Sequence, residues 1–405
     1  MKSLLFLCHR IPYPPNKGDK IRSYNILKYL NEHFDVHLGA FVDDPNDFQY
    51  ESDVADMCAS HCLLPLDSRV GKLKGLSGFI KGVPLGLPYF ANSKMQRWVN
   101  AVIAEKEPTA VLVFSSTMAQ YVAGDKFAHL RRYIDFIDID SDKWAQYKDL
   151  ASPIMKLVYA YEAHMLFGWE RKIVNEFEHS FFVSEKEAEL FRGMVPEAAE
   201  KVSYFNNGVD TELFSPQHTF ASPYREDDKV IVFTGVMDCW TNVDAVDWFA
   251  SQVLPAVCDR VNNLRFYIVG AKPDSKVKAL AASPHVEVTG MVSDVRPYLA
   301  HASVAVAPMR IARGVQNKVL EAMAMALPVV CSPLGYEGIN AVPGRDLIVA
   351  NNVADWVDAL VDILLNEGTS SMGLAARQCV KEDNYCWQKN LMQLKKYLDG
   401  PELSN

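Results

Sequence analysis

The apolar positions of this chain fall into two rhythms that alternate along its length. Short apolar runs at Ser3–Cys8, Asp35–Phe41, Ala110–Phe114, Arg132–Ile137 and Ser180–Val183 predict strands. A second series follows at Val230–Thr234, Leu264–Gly270, His285–Thr289, Val304–Ala307, Val329–Cys331 and Leu347–Ala350. Between them lie segments with helical spacing. Ile21, Ile26, Leu27 and Leu30 mark one, 154–178 is a long one, and Ser184-Glu-Lys-Glu187 reads as a capping-box start. Asp43–Ser60 reads as loop plus helix. Strands without internal polar alternation, separated by helices, predict parallel sheets covered on both faces. Asn207-Gly208, Pro216 and the polar run His218–Asp228 mark a boundary. The expected organisation is a domain over 1–205, a linker over 206–228 and a second domain over 229–383.

The most informative unit runs from Val304 to Cys331. A buried strand ends at Pro308, Gly314 allows a turn, and good helix formers run from Lys318 to Ala326 before Pro328. A helix opening just after a parallel strand aims free N–H groups into the crevice above the sheet. Lys318 in its first turn opposes the helix dipole, which a bound anion would explain. Arg310 and Lys318 suit a diphosphate, and Glu321 suits two adjacent hydroxyls of a ribose. The same residues also read as a solvated helix start with a Lys–Glu pair three apart.

The run Lys318-Val-Leu-Glu321-Ala-Met-Ala-Met-Ala-Leu-Pro328-Val-Val resembles the donor signature of retaining glycosyltransferases of the GT-B fold, family four. That family usually carries two glutamates here. Glu321 matches the second, which binds the donor ribose, whereas the first would fall at Arg313. Asn206–Phe214 resembles the family's interdomain connection, and Pro12-Tyr-Pro-Pro15 before Gly18 is similar to its N-terminal loop. The resemblance implies two doubly wound Rossmann-like α/β domains facing each other across a cleft, with the final helix, 384–398, packing back on the first. It implies donor contacts from Gly18, Gly235, Arg310, Gly314, Val315, Lys318 and Glu321, and acceptor contacts from His9, Lys17 and Arg22. The loop after Gly235 lacks the arginine and lysine of many relatives, which shifts the diphosphate to Arg310 and Lys318. A looser similarity points to sugar transferases of exosortase-associated exopolysaccharide loci.

Asp138 and Asp140 follow a predicted strand where related enzymes often carry a histidine. They could position an acceptor hydroxyl or take its proton, or they could cap the following helix. Arg310 and Lys318 join them as candidate catalytic groups. From Ser68 to Ala104 there are six Lys/Arg and no Asp/Glu, interleaved with large apolar residues. That suits an anionic lipid surface, or else an ordinary basic helix after a loop.

With 405 residues, 49% of them apolar, the chain can build two cores. A net charge of −9 argues against a general nucleic-acid binder. Eight scattered cysteines fit a reducing cytoplasm, and Cys58 and Cys62 lack a second cluster for a metal. The N-terminal apolar run is too short for a signal peptide, and no stretch is long enough to span a membrane. The expectation is a cytoplasmic, peripherally membrane-associated enzyme without cofactor or metal, using a nucleotide-diphosphate sugar as donor substrate. It would move the sugar to a glycan or lipid-linked glycan in exopolysaccharide assembly. A nucleotide-sugar 2-epimerase of the same fold and a non-catalytic sugar-nucleotide binding subunit are the alternatives.

Overall fold

A computed structural model describes residues 1–150, 152–312, 314–366, 370–382 and 385–400. The chain divides into two compact units, Met1–Phe205 with Leu391 onward, and Asn206–Asn390.

The first unit holds a seven-stranded sheet of β1 (Lys2–Cys8), β2 (Phe34–Val42), β3 (Ser60–Pro65), β4 (Ala110–Phe114), β5 (Arg132–Ile137), β6 (His179–Phe182) and β7 (Val202–Tyr204). Their order is β3-β2-β1-β4-β5-β6-β7, and every pair is parallel. The central strands are buried on both faces, which is why they read as unbroken apolar runs. Between β6 and β7 the Ser184 hydroxyl caps helix Glu185–Met194 by accepting from the Glu187 amide at 3.3 Å. The last helix, Trp387–Asp399, joins this unit from Leu391 onward, where the Tyr397 ring stacks on His179 at 4.1 Å. Asn384, included in that helix by the sequence reading, lies outside the described residues.

The second unit holds β8 (Lys229–Thr234), β9 (Leu264–Val269), β10 (Val286–Gly290), β11 (Val304–Ala307), β12 (Val329–Cys331) and β13 (Ile348–Val349). The order is β10-β9-β8-β11-β12-β13, again all parallel. Residues 206–228 pack with this unit. Gly208 sits where a Cβ would come within 2.8 Å of the Tyr385 carbonyl oxygen, so only glycine fits that crossing.

In both sheets the strand order reverses beside the first strand, between β1 and β4 and between β8 and β11. The carboxyl ends of strands at such a reversal leave a crevice, the usual ligand position in open α/β sheets.

Candidate functional site

In the second unit, Gly235 follows β8, and Pro308, Met309 and Arg310 follow β11, so both rims of the reversal carry residues singled out above. Gly235 and Gly270 end neighbouring strands in close contact. A Cβ at Gly270 would lie 1.7 Å from the Gly235 carbonyl oxygen, and one at Gly235 would lie 2.8 Å from the Asn242 amide. Gly314 adopts φ +64°, a left-handed turn that glycine makes without strain, and Val315 behind it is buried. Helix Asn317–Ala324 then opens with no side-chain cap, leaving its first N–H groups available.

Lys318 and Glu321 are one turn apart on that helix. The Lys318 ammonium donates to Asn242 Oδ1 at 2.6 Å and lies 4.1 Å from the centre of the Phe233 ring. Burial of the charge lowers its pKa to about 8, against the opposing pull of Glu321. Burial likewise pushes Glu321 up to about 7, with Lys318 opposing. Among the described residues no donor hydrogen-bonds the Glu321 carboxylate. Arg310 is exposed, and its guanidinium reaches Asp244 at 3.5 Å. Asn242 and Asp244 both belong to helix Trp240–Trp248, so one element ties down both cations. The Asp244 Oδ2 atom is buried without a hydrogen-bond partner. Arg313 lies outside the described residues.

In the first unit, His9 follows β1, Ser115 follows β4 and Asp138 follows β5. The His9 ring stacks on Phe114 with centroids 5.7 Å apart, and its Nε2 meets Asp19 at 3.2 Å. Burial would raise the Asp19 pKa, but His9 and Arg10 outweigh it and hold the carboxyl well below the usual range. Lys17 precedes helix Gly18–Asn31 and lies 3.8 Å from Asp43. Gly18 is exposed, and a Cβ there would meet nothing within 4 Å. Lys20 is buried against Asp47 at 2.8 Å.

Arg22 is different from the acceptor contact expected of it. It is 0% exposed, held by Asp135 at 2.7 Å and by the Phe205 carbonyl at 3.0 Å, over the Phe205 ring. A guanidinium so enclosed is an interior ion pair, not a surface for an acceptor.

Asp138 and Asp140 share Lys143, at 2.6 and 3.6 Å. The residue before them, Ile137, has φ +74°, a costly conformation for a β-branched side chain, of order 1–3 kcal/mol. It fixes the direction in which β5 releases the two aspartates. Burial raises the Asp140 pKa, with Lys143 opposing. Two carboxylates of the long helix Pro153–Glu176, not singled out in the sequence, lie near this turn. Glu170 accepts from the Ser141 amide at 3.1 Å and hydroxyl at 2.5 Å, and Glu162 accepts from the Leu85 amide at 2.7 Å. Burial, reinforced by Asp140, pushes Glu170 up to about 8. The signal available in sequence was only an acidic residue inside an apolar helix. Among the described residues no group of His, Cys, Asp and Glu is arranged to hold a metal ion.

Residues 228–366 match the family described as glycosyl transferases group 1. Over that stretch, within the second unit, the chain carries a group 1 glycosyltransferase domain. The whole chain has the GT-B fold. It is similar to the sucrose-phosphate synthase of Thermosynechococcus elongatus, with a TM-score of 0.71 at 16% identity over 98% of each chain. HepE of Anabaena, in complex with UDP, superposes with a TM-score of 0.67 at 14% identity, over 99% of this chain and 100% of that one. WaaG, a glycosyltransferase involved in lipopolysaccharide biosynthesis, gives 0.66 at 15% identity, over 98% and 100%. No curated protein sequence matches the chain.

Proposed function

We propose that the enzyme transfers a sugar from a nucleotide-diphosphate donor to a hydroxyl of a glycan or lipid-linked glycan, with retention at the anomeric carbon. The pathway we assign is assembly of exopolysaccharide or another cell-surface polysaccharide, at the cytoplasmic face of a membrane. The observation that carries the donor half is the Lys318–Glu321 pair. A cation held at an uncapped helix start, one turn from a carboxylate that accepts from no donor among the described residues, matches a diphosphate and a ribose diol. HepE, of the same fold, has been crystallised with UDP-glucose, which supports a nucleotide-sugar donor.

The roles follow from charge. As the anomeric bond breaks, negative charge grows on the departing diphosphate. Lys318, Arg310 and the N–H groups of helix 317–324 stabilise it there. Asn242 and Phe233 fix the ammonium before the donor arrives, so little reorganisation is needed. Gly235, Gly314 and Val315 shape the donor rim. Gly18, His9 and Lys17 remain assigned to substrate contacts, and Asp138 and Asp140 to positioning the acceptor hydroxyl. Arg22 has no part in it.

Lys318→Ala and Arg310→Ala should each lower turnover by about 10²–10³-fold while changing the Michaelis constant much less, as for loss of one oxyanion-stabilising donor. The measurement is sugar transfer from a radiolabelled donor to a lipid-linked glycan. Full activity in both variants would place the leaving group elsewhere. Conversion of donor to its epimer without any acceptor would make the enzyme an epimerase instead.

A further inference from the structure

Helix Ser68–Lys81 sits on the first unit with its glycines inward. Its buried residues are Gly71, Gly75 and Gly78. A Cβ at Gly71 would lie 2.6 Å from the Tyr89 ring, and one at Gly78 would lie 2.9 Å from the Val83 carbonyl oxygen. The close seat is available because these positions have no side chain. Leu73, Leu76 and Ile80 recur at helical spacing on the opposite side and are 71%, 57% and 91% exposed. Helical geometry puts Lys74 and Lys81 on one flank of that stripe and Lys72 on the other.

A second element extends the apolar surface. In helix Pro153–Glu176 the Tyr161 hydroxyl donates to the Gly78 carbonyl at 2.8 Å, and its ring lies 4.6 Å from that of Phe79. One and two turns before Tyr161, Leu157 and Ile154 are 76% and 77% exposed. Large apolar side chains facing water on two touching helices mark a surface that something covers. The charge around them says what. No acidic residue occurs between Ser68 and Ala104, in a chain whose net charge is −9. An apolar stripe between basic flanks is the arrangement of a helix lying in the headgroup region of an anionic bilayer. No helix among the described residues is long and apolar enough to cross a membrane, so attachment would be to one face.

We infer that the Leu73–Leu76–Ile80 stripe, continued by Leu157 and Ile154, inserts into the headgroup–acyl boundary of an anionic membrane, with Lys72, Lys74 and Lys81 on the phosphates. The reading is independent of the donor chemistry, and its test uses no turnover, so the two can fail separately. The full chain is sedimented with vesicles of phosphatidylcholine alone or with about one third phosphatidylglycerol. Wild type should bind the anionic vesicles at least about tenfold more tightly. The double substitution Leu73→Ser with Ile80→Ser should weaken that binding by about tenfold or more, since two exposed side chains lose their apolar partner. It should leave the thermal midpoint unchanged, because both side chains face solvent. Lys72→Gln, Lys74→Gln and Lys81→Gln together should remove the preference for anionic lipid. Equal vesicle binding by wild type and the Leu73/Ile80 variant would overturn the inference, as would a wild type that stays in the supernatant. Self-association that the same double substitution abolishes, without vesicle binding, would give the surface to a second copy.

Discussion

Lys318 is a cation placed where both burial and the helix dipole oppose it. Its ammonium keeps the charge through the Asn242 carbonyl and the face of Phe233, an arrangement worth up to about 2 kcal/mol when desolvated. With a pKa near 8, it loses its proton just above neutrality. Glu321, near 7, gains one just below. A diphosphate needs Lys318 charged, so affinity should fall as pH rises through about 8. Hydroxyl donors need Glu321 ionised, so affinity should fall as pH drops through about 7. Nucleoside diphosphate affinity, measured by calorimetry across buffers, should therefore peak between those values. Lys318→Ala should lose the alkaline limb and keep the acid one. A flat wild-type profile on the alkaline side would mean that Lys318 does not meet the anion.

At the scale of elements, buried carboxylates hold turns together. Glu170 accepts from Ser141 in the first turn of helix Asp140–Leu150, Glu187 accepts from the Ile139 amide just before it, and Glu162 holds the 85–86 backbone. Glu170 is 1% exposed, and its pKa near 8 lies above its unfolded value. The folded state therefore keeps a proton that the unfolded chain has already released between the ordinary carboxylate range and pH 8. Stability from this group is full below that window and is lost as pH rises through it, by up to about 1.4 kcal/mol per unit, then levels off. Glu170→Gln keeps the acceptor for the Ser141 amide without the proton. Its urea midpoint should not fall across pH 5–8 as the wild type's does, and parallel curves would show that Glu170 is ionised in the fold.

These contacts also show what the sequence could carry. The buried strands were legible because both faces of a parallel sheet demand the same apolar residues. β3 was missed because Ser60–Pro65 pairs on one side only and is half-exposed, so its pattern is not that of a buried run. Lys318 and Glu321 were legible because one helix sets their spacing. The partner of Lys318, Asn242, lies 76 positions away in sequence, so their bond could not be read from spacing. Arg22 was assigned to the acceptor by the family resemblance. Only the fold shows Asp135 waiting beneath it.

At the scale of the whole molecule, the two units build separate cores, and in each sheet the strand order reverses beside the first strand. The first unit spends its charges on one another, as His9 with Asp19, Lys17 with Asp43, Lys20 with Asp47 and Lys143 with two aspartates. In the second, no donor among the described residues hydrogen-bonds the Glu321 carboxylate beside Lys318. Donor recognition is thus claimed for residues 206–390, and for helix 317–324 above all. The direct test is calorimetric titration of the full chain with uridine, guanosine and adenosine diphosphates, comparing wild type with Glu321→Gln. The account predicts that at least one nucleotide binds, and that the substitution, with the thermal midpoint of the free protein preserved, weakens it by roughly ten- to hundredfold, the loss of a hydrogen bond to a charged group. A nucleotide that binds both proteins equally would contradict it.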